Sequence, residues 1–243
     1  MRTIRIHVDA GLGVGAELAL PAQAAAHVAR VLRLRAGDAV SLFNGDGRDY
    51  PAELVAVGPR EVRARVLEAR ENRSEPPLRI VLAQSLARGE KMDWIVQKAT
   101  ELGVGAIVPL VTARSEVKLD EARAQKRLEH WRAVAIGACE QSGRARVPEI
   151  VAVQPMRTWL DSLDGSVTRL ALLPEGELAA RALAPPVHGL ALTVGPEGGF
   201  DEADVALLHR AGFRGLALGP RVLRTETAGI AAIAALQALY GDW

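Results

Sequence analysis

From residue 78 onward, short apolar runs alternate with longer segments of helical periodicity, and this alternation constrains the fold more than any other feature. The predicted strands are 78–84, 106–110, 169–173, 190–194 and 216–218, and the predicted helices are 93–102, 121–139, 202–211 and 227–240. Strands that alternate with helices indicate a mostly parallel sheet covered by helices on both faces. Ligands of such sheets bind beyond the carboxyl ends of the strands, so the loops that follow strands are the first candidates for a site.

The first 70 residues have a different sequence pattern, in which apolar and polar residues alternate as they do in β-strands. The predicted strands are 3–8, 39–44, 50–57 and 61–69, with one helix at 22–34 before Gly37. This pattern predicts a small β-barrel or sheet domain. The polar segment 71–77 ends in two prolines, which cannot continue a helix and resist strand pairing. We therefore expect a first domain at 1–72, a linker at 73–77 and a second domain at 78–243.

Composition excludes several classes of protein. The chain has 243 residues, of which 49% are hydrophobic, so it can bury a core, and its single cysteine excludes a disulfide framework or a multi-cysteine zinc site. The five histidines lack metal-ligand spacing, so no metal is expected. No apolar run reaches about 18 residues and the first ten residues carry charges, so we expect no membrane span and a cytoplasmic location. Residues 76–147 carry 12 basic and 8 acidic side chains, which weakly favours a phosphate-rich partner.

Residues 11–16, Gly-Leu-Gly-Val-Gly-Ala, fit the glycine pattern of a dinucleotide site. Such a site needs a helix that begins directly after the glycines, whereas residues 17–21 alternate like a strand and end at Pro21. A glycine-rich hairpin is the better interpretation, and a nucleotide-dependent oxidoreductase stays open as an alternative.

Two later loops, each between a predicted strand and a helix, are stronger candidates. Residues 195–201 hold three glycines and a proline, and Asp201 is a natural helix cap. A capped turn explains one glycine but hardly three, and glycine lets backbone approach a ligand closely. Residues 218–228 place Arg224 at the positive end of a helix dipole, where a cation is disfavoured unless it serves an anion.

A third candidate is residues 138–146, at the end of the long predicted helix. One interpretation is purely structural, in which the segment ends a helix and Gly143 follows the last turn. The other interpretation is contact with RNA, in which Arg144 and Arg146 pair with phosphate and Gln141 contacts a base edge. Cys139 lies in an apolar pattern without a nearby histidine, so we expect a buried thiol. Lys91, Asp93 and Lys98 have two open interpretations, namely catalytic groups or, as is usual for Asp or Glu with Lys on a helix face, solvated ion pairs.

Together these motifs resemble the small-subunit (16S) ribosomal RNA uracil-N3 methyltransferases of the SPOUT class, over essentially the whole chain. The matching stretches are residues 91–103, 138–144, 195–200 and 218–228. The resemblance implies an α/β fold with an N-terminal PUA-like β-barrel that binds RNA and a C-terminal SPOUT domain with a deep trefoil knot. It also implies a homodimer, S-adenosylmethionine as cofactor, and 16S ribosomal RNA or the small subunit as partner.

Carried over by position, the resemblance implies three groups of site residues. The cofactor would be bound by Leu173, Gly195, Pro196, Glu197, Gly198, Gly199, Leu218, Gly219, Leu223, Arg224, Thr225, Glu226, Thr227 and Ala228. Glu140, Gln141, Ser142, Gly143 and Arg144 would face the target uridine, and Gln141, Ser142, Arg144 and Arg146 would contact the RNA.

The implied reaction methylates N3 of a uridine, which must lose its imide proton. An adjacent arginine, Arg144 or Arg224, would stabilise the uracil anion, and Glu140 or Glu226 would accept or orient the proton. The target base must leave its stack, which favours a structured RNA or an assembled subunit as substrate. A non-catalytic RNA-binding factor of ribosome assembly remains the alternative function.

Overall fold

The computed structural model describes residues 4–58, 61–117, 120–176 and 178–243. The chain forms two compact units. The N-terminal unit comprises Met1–Glu75 and Cys139–Val147, and the C-terminal unit comprises Pro76–Ala138 and Pro148–Trp243. The boundary falls within the predicted linker, 73–77. Residues 139–147, which the sequence assigned to the second domain, belong to the N-terminal unit because their backbone and side chains bond to its residues.

The N-terminal unit is built on a six-stranded sheet, with β6 paired to β4 beside the main path β1-β3-β4-β5-β2. β1 is parallel to β3, and the other neighbours are antiparallel. Its strands are β1 Ile4–His7, β2 Glu17–Ala19, β3 Ala39–Phe43, β4 Arg48–Val57, β5 Val62–Val66 and β6 Arg70–Glu71. Along β5, Val62, Ala64 and Val66 are buried and the two arginines between them are exposed, as the alternation predicts.

The predicted helix at 22–34 is shorter and less regular in the structure. Helix α1, Ala22–Ala26, continues into a π-helical turn, His27–Val31. It ends because Arg33 adopts a left-handed conformation with φ 52°. The glycine-rich residues 11–16 lead into β2 and not into a helix, so a dinucleotide would find no helix N-terminus there.

The C-terminal unit contains an eight-stranded sheet of order β10-β8-β7-β13-β11-β14-β12, with β9 beside β8. Its strands are β7 Ile80–Ser85, β8 Ala106–Val111, β9 Glu149–Ile150, β10 Gln154–Pro155, β11 Thr168–Leu172, β12 Leu178–Ala179, β13 Leu190–Val194 and β14 Arg214–Ala217. Each pair of neighbours is parallel, so all strands end at the same edge.

Helices separate the longer strands, as the sequence pattern predicts. They are α2 Lys91–Glu101, α3 Glu121–Ser142, α4 Met156–Asp161, α5 Glu202–Arg210 and α6 Thr225–Tyr240, with a 3-10 turn at Ala180–Ala182. The short elements β9, β10, α4 and β12 were outside that prediction. The central strand β13 is buried along its whole length, as expected for a parallel strand covered on both faces. Within the described ranges no helix has the length and apolar character needed to cross a membrane. In the same ranges no cluster of His, Cys, Asp and Glu is placed to hold a metal ion.

Candidate functional site

A cavity of about 770 Å³ lies where β11, β13 and β14 end. Three segments form most of its wall, namely Leu172–Pro174 after β11, Val194–Phe200 after β13 and 216–226 along the end of β14 and the loop after it. Parallel strands bring their carboxyl ends to one edge, which is why loops far apart in sequence meet here. The volume is within the range of sites for small organic ligands.

The first loop, 195–200, contains glycines for two different reasons. A Cβ on Gly195 would lie 3.1 Å from the amide nitrogen of Phe200, and Gly199 has φ 69°, so the loop itself requires both. At Gly198 a Cβ would make ordinary 3.5 Å contacts with the Arg114 side chain. The fold therefore tolerates a side chain at Gly198, and the cavity that this residue lines gives the reason for its absence.

The second loop, 218–226, is tied to the first by a buried hydroxyl. Thr225 Oγ1 donates a hydrogen bond to the carbonyl of Gly195 at 2.6 Å and accepts one from Gln84 Nε2 at 2.9 Å. Gln84, fully buried near the end of β7, also donates to the carbonyl of Ser85. One side chain from β7 and one from α6 thus fix the spacing of the two loops.

Charged groups on the cavity wall form a small network. Lys91 Nζ lies 2.8 Å from Glu197 Oε1 and 3.6 Å from Glu226 Oε2. Burial raises the pKa of Glu197, but the Lys91 ammonium and the Arg88 amide outweigh it and hold that pKa below its usual value. The hydrogen bond to Glu197 raises the pKa of Lys91, so both groups are charged at neutral pH.

Two features of this wall suit a ligand that carries both positive and negative charge. Glu226 Oε2 is buried and, apart from Lys91 Nζ at 3.6 Å, has no polar partner within the described residues. Arg224 is exposed, and it precedes the first turn of α6. A carboxylate oxygen without a donor favours a ligand that supplies a donor or a positive charge. The same cavity therefore offers an acceptor and a cation a few residues apart.

The structure brings nearly all the predicted cofactor residues to this cavity. The exception is Thr227, which is exposed and absent from the cavity wall. The sequence pattern does not identify Gln84 or Arg114, and it favours a solvated ion pair over a catalytic role for Lys91. Lys91 and Arg114 follow β7 and β8 at the same sheet edge, so the rule that located the two loops applies to them as well. Gln84 is inside a strand, where sequence gave no signal.

The other predicted site residues, 140–146, belong to the N-terminal unit. Arg144 is 4% exposed, and its Nη2 donates to Glu75 Oε2 at 2.8 Å. Glu75 Oε1 accepts from the amides of Ala145 and Arg146, and Arg5 Nη2 donates to the carbonyl of Arg144. The guanidinium expected to face uridine is thus buried in an ion pair that holds this segment in place.

The neighbours of Arg144 vary in exposure. Glu140 Oε1 accepts from the amide of His7 at 3.0 Å, while Gln141 and Arg146 are exposed. Cys139 is a buried free thiol, as predicted, and burial raises its pKa to about 12. A thiol that stays protonated at neutral pH is a poor nucleophile, so Cys139 has a packing role.

Comparison with known proteins decides the family. An RNA methyltransferase domain model matches residues 74–237, and an RNA methyltransferase PUA domain model matches residues 20–67. Ribosomal RNA small subunit methyltransferase E of Bacillus subtilis is 35% identical over 228 residues, covering 89% of each chain. The chain belongs to the ribosomal RNA small subunit methyltransferase E family. The family member of Buchnera aphidicola (strain Sg) is 30% identical and covers 99% of this chain and 98% of its own.

Solved structures of relatives extend the likeness to the fold. Ribosomal RNA small subunit methyltransferase E of Neisseria gonorrhoeae, crystallised with S-adenosylmethionine, has a TM-score of 0.94 and 38% identity over 99% of both chains. A Legionella pneumophila protein described as a methyltransferase, determined with the same cofactor, has a TM-score of 0.93 and 40% identity over 100% of both. The predicted α/β SPOUT-type fold with a PUA-like N-terminal domain is confirmed at this level.

Proposed function

We propose that this family member transfers a methyl group from S-adenosylmethionine to N3 of a uridine in 16S ribosomal RNA. The observation that carries the proposal is the single cavity formed by the loops after β13 and β14, in the unit that matches an RNA methyltransferase domain. Relatives close to this chain in fold and sequence were solved with that cofactor bound. We infer that the same cavity binds it here.

The cavity wall suits the parts of this cofactor. Leu173, Val194 and Leu216 supply apolar surface for an adenine ring, and the backbone of residues 195–199 supplies polar groups close to Gly198. Glu226 Oε2, which makes no hydrogen bond in the part of the chain that the structure describes and has Lys91 Nζ 3.6 Å away, supplies negative charge for a ligand that carries a sulfonium and an ammonium group. When bound, the cofactor supplies an electrophilic methyl group and departs as a neutral thioether.

The residues that act on the base are best sought on the cavity wall. Uracil becomes nucleophilic at N3 when its imide proton leaves, and negative charge then spreads over N3, O2 and O4. Arg224, at the N-terminus of α6, is placed to stabilise that anion, with the helix dipole adding in the same sense. Glu226, two residues later, is our candidate to accept the proton. The new N–C bond forms as the C–S bond breaks, so no covalent enzyme intermediate is needed.

Arg144 receives a different role from the one the motif suggested. Its guanidinium is paired with Glu75 and its carbonyl is bonded to Arg5, so we assign it to positioning residues 140–146. Gln141 and Arg146 are exposed on that segment and remain our candidates for RNA contact. Ser142 is partly exposed, but its Oγ is buried, so we do not keep its hydroxyl among the RNA contacts.

Three expectations of the resemblance belong to the same proposal. The segment between β14 and α6 would thread the C-terminal knot, which the Thr225 bond to Gly195 would help to hold. The N-terminal sheet would close as a PUA-like barrel that binds RNA. The active enzyme would be a homodimer that acts on the small subunit in the cytoplasm.

Two measurements test the proposal. Isothermal titration with S-adenosylmethionine should show binding in the micromolar range, and its absence at millimolar cofactor with folded protein would reject the cofactor assignment. Small subunits and bare 16S ribosomal RNA from cells lacking the activity should gain 3-methyluridine, measured by nucleoside mass spectrometry. RNA binding without any methyl transfer would instead support the non-catalytic assembly factor.

A further inference from the structure

The N-terminal unit carries an exposed basic surface that its packing does not explain. Arg30, Arg33 and Arg35 are all exposed around the π-helical turn that follows α1. We call these three residues the arginine turn. Residues 22–37 contain no acidic side chain, and the next carboxylate, Asp38, accepts a hydrogen bond from the backbone amide of Arg35. In the described part of the chain none of the three guanidinium groups has an ion-pair partner.

Exposed arginines elsewhere in this unit fall into two groups, because Arg48 and Arg73 form no ion pair within the described residues while others have a carboxylate partner. Arg63 and Arg65 pair with Glu17 from the adjacent strand, and Arg70 pairs with Glu68. The arginine turn differs from both groups because its three cations lie within six residues, in a segment without an acidic side chain. Such a concentration of positive charge favours an external anion.

The backbone of the arginine turn strengthens this argument. Arg33 is the one non-glycine residue with a positive φ in the ranges that the structure describes. It occupies the position after a helix end that glycine fills most easily, because a Cβ is strained in the left-handed region. The π-helical turn just before it is a second irregularity of a kind that often marks functional sites. An arginine in a strained position indicates that its side chain is needed.

We propose that the arginine turn binds the phosphate backbone of the RNA substrate. The inference rests on the proposed function and deepens it, because it names the residues by which the N-terminal unit holds RNA. Guanidinium groups bind phosphate with two parallel hydrogen bonds, and phosphate contacts fix orientation without reading sequence. RNA is favoured over an anionic membrane because residues 20–67 match an RNA methyltransferase PUA domain and because the turn exposes only one large apolar side chain, Val31.

The test measures the Kd for unmethylated 16S ribosomal RNA at several potassium chloride concentrations. The variants are Arg30→Ala, Arg33→Gly and Arg35→Ala, with Arg65→Ala and Arg70→Ala as controls of equal charge change on paired arginines. Each arginine-turn variant should weaken binding roughly 5-fold and reduce the slope of log K against log salt by about 0.7–0.9. The controls should change neither quantity by a comparable amount.

Arg33→Gly separates binding from folding. Because glycine is unstrained at a positive φ, the thermal midpoint of this variant should stay constant or rise while RNA affinity falls. Three results would overturn the proposal. The first is an equal loss of RNA affinity in the controls, and the second is an unchanged salt slope in the arginine-turn variants. The third is binding to phosphatidylserine vesicles that is as tight as RNA binding and depends equally on these arginines. Titration with S-adenosylmethionine and methyl transfer are measured in parallel. If wild-type protein transfers no methyl group but its RNA binding shows the expected salt slopes, the proposed function is rejected while the role of the arginine turn in RNA binding is supported.

Discussion

Replacing Thr225 by valine tests whether the two cofactor loops depend on one hydroxyl. Valine keeps the shape of threonine but removes both hydrogen bonds of Oγ1. The carbonyl of Gly195 then loses the donor that it has at 2.6 Å, while Gln84 Nε2 keeps its second acceptor, the carbonyl of Ser85. One buried acceptor left without a donor costs about 1–3 kcal/mol, so we expect a loss near the middle of that range.

The assay compares Thr225→Val with Thr227→Val, the same substitution two residues further along α6, where the side chain is exposed. For a domain of this size each kcal/mol lowers the midpoint by about 2–4 °C, so Thr225→Val should melt roughly 4–8 °C lower. The control should stay within about 0.5 kcal/mol of wild type. S-adenosylmethionine should bind Thr225→Val roughly tenfold more weakly, because its binding must then also restore the spacing of the loops. Equal midpoints and equal affinities for the two variants would refute the role assigned to Thr225.

Three further predictions address the cavity and the segment 140–146. Gly198→Val should weaken cofactor binding at least tenfold by titration, and Gly198→Ala should weaken it by a smaller factor because it adds one methyl group only. Both variants should keep the wild-type melting midpoint, because a Cβ there makes ordinary contacts with Arg114; unchanged cofactor affinity in both would count against a ligand at Gly198. Arg224→Ala should lower the rate of methyl transfer about 100-fold with little change in cofactor Kd. If only the affinity for the cofactor falls, Arg224 binds cofactor and does not act in the transfer step. Glu75→Gln should destabilise the N-terminal unit in urea unfolding, because it removes the carboxylate charge that pairs with the buried Arg144 guanidinium; Glu68→Gln, at an exposed pair, should leave the unfolding curve close to that of wild type.

A fifth prediction concerns pH. The pKa of Glu197 is held below its unfolded value, so its ionisation stabilises the fold above the unfolded pKa, and that contribution disappears as pH falls through the lowered one. Wild-type protein should therefore lose more stability on acidification below about pH 4.5 than Glu197→Gln does. Parallel stability curves for the two proteins over that interval would contradict the assigned cause.

Elements and loops of the C-terminal unit were predictable because they follow from local patterns. A buried parallel strand and an amphipathic helix have distinct periods, and the direction of parallel strands places the loops after β13 and β14 at one edge. The Gln84 bond to Thr225 was not predictable, since it joins residues 141 positions apart and depends on which face of β7 the glutamine occupies. The early end of the predicted helix at 22–34 depends on one dihedral angle at Arg33, for which residue type gives no signal.

The two arginines that the sequence offered for the chemistry show how burial decides between equal candidates. Both lie near the end of a helix, and either could stabilise a uracil anion by charge alone. Arg144 is 4% exposed and already pairs with Glu75, so drawing it to a second anion would break an ion pair that holds its own segment in place. Arg224 is exposed on the cavity wall with no ion-pair partner in the described ranges, at a helix end whose dipole disfavours a cation. A cation kept at that end is explained by an anion that arrives only with the substrate, and a uracil that loses its N3 proton is such an anion.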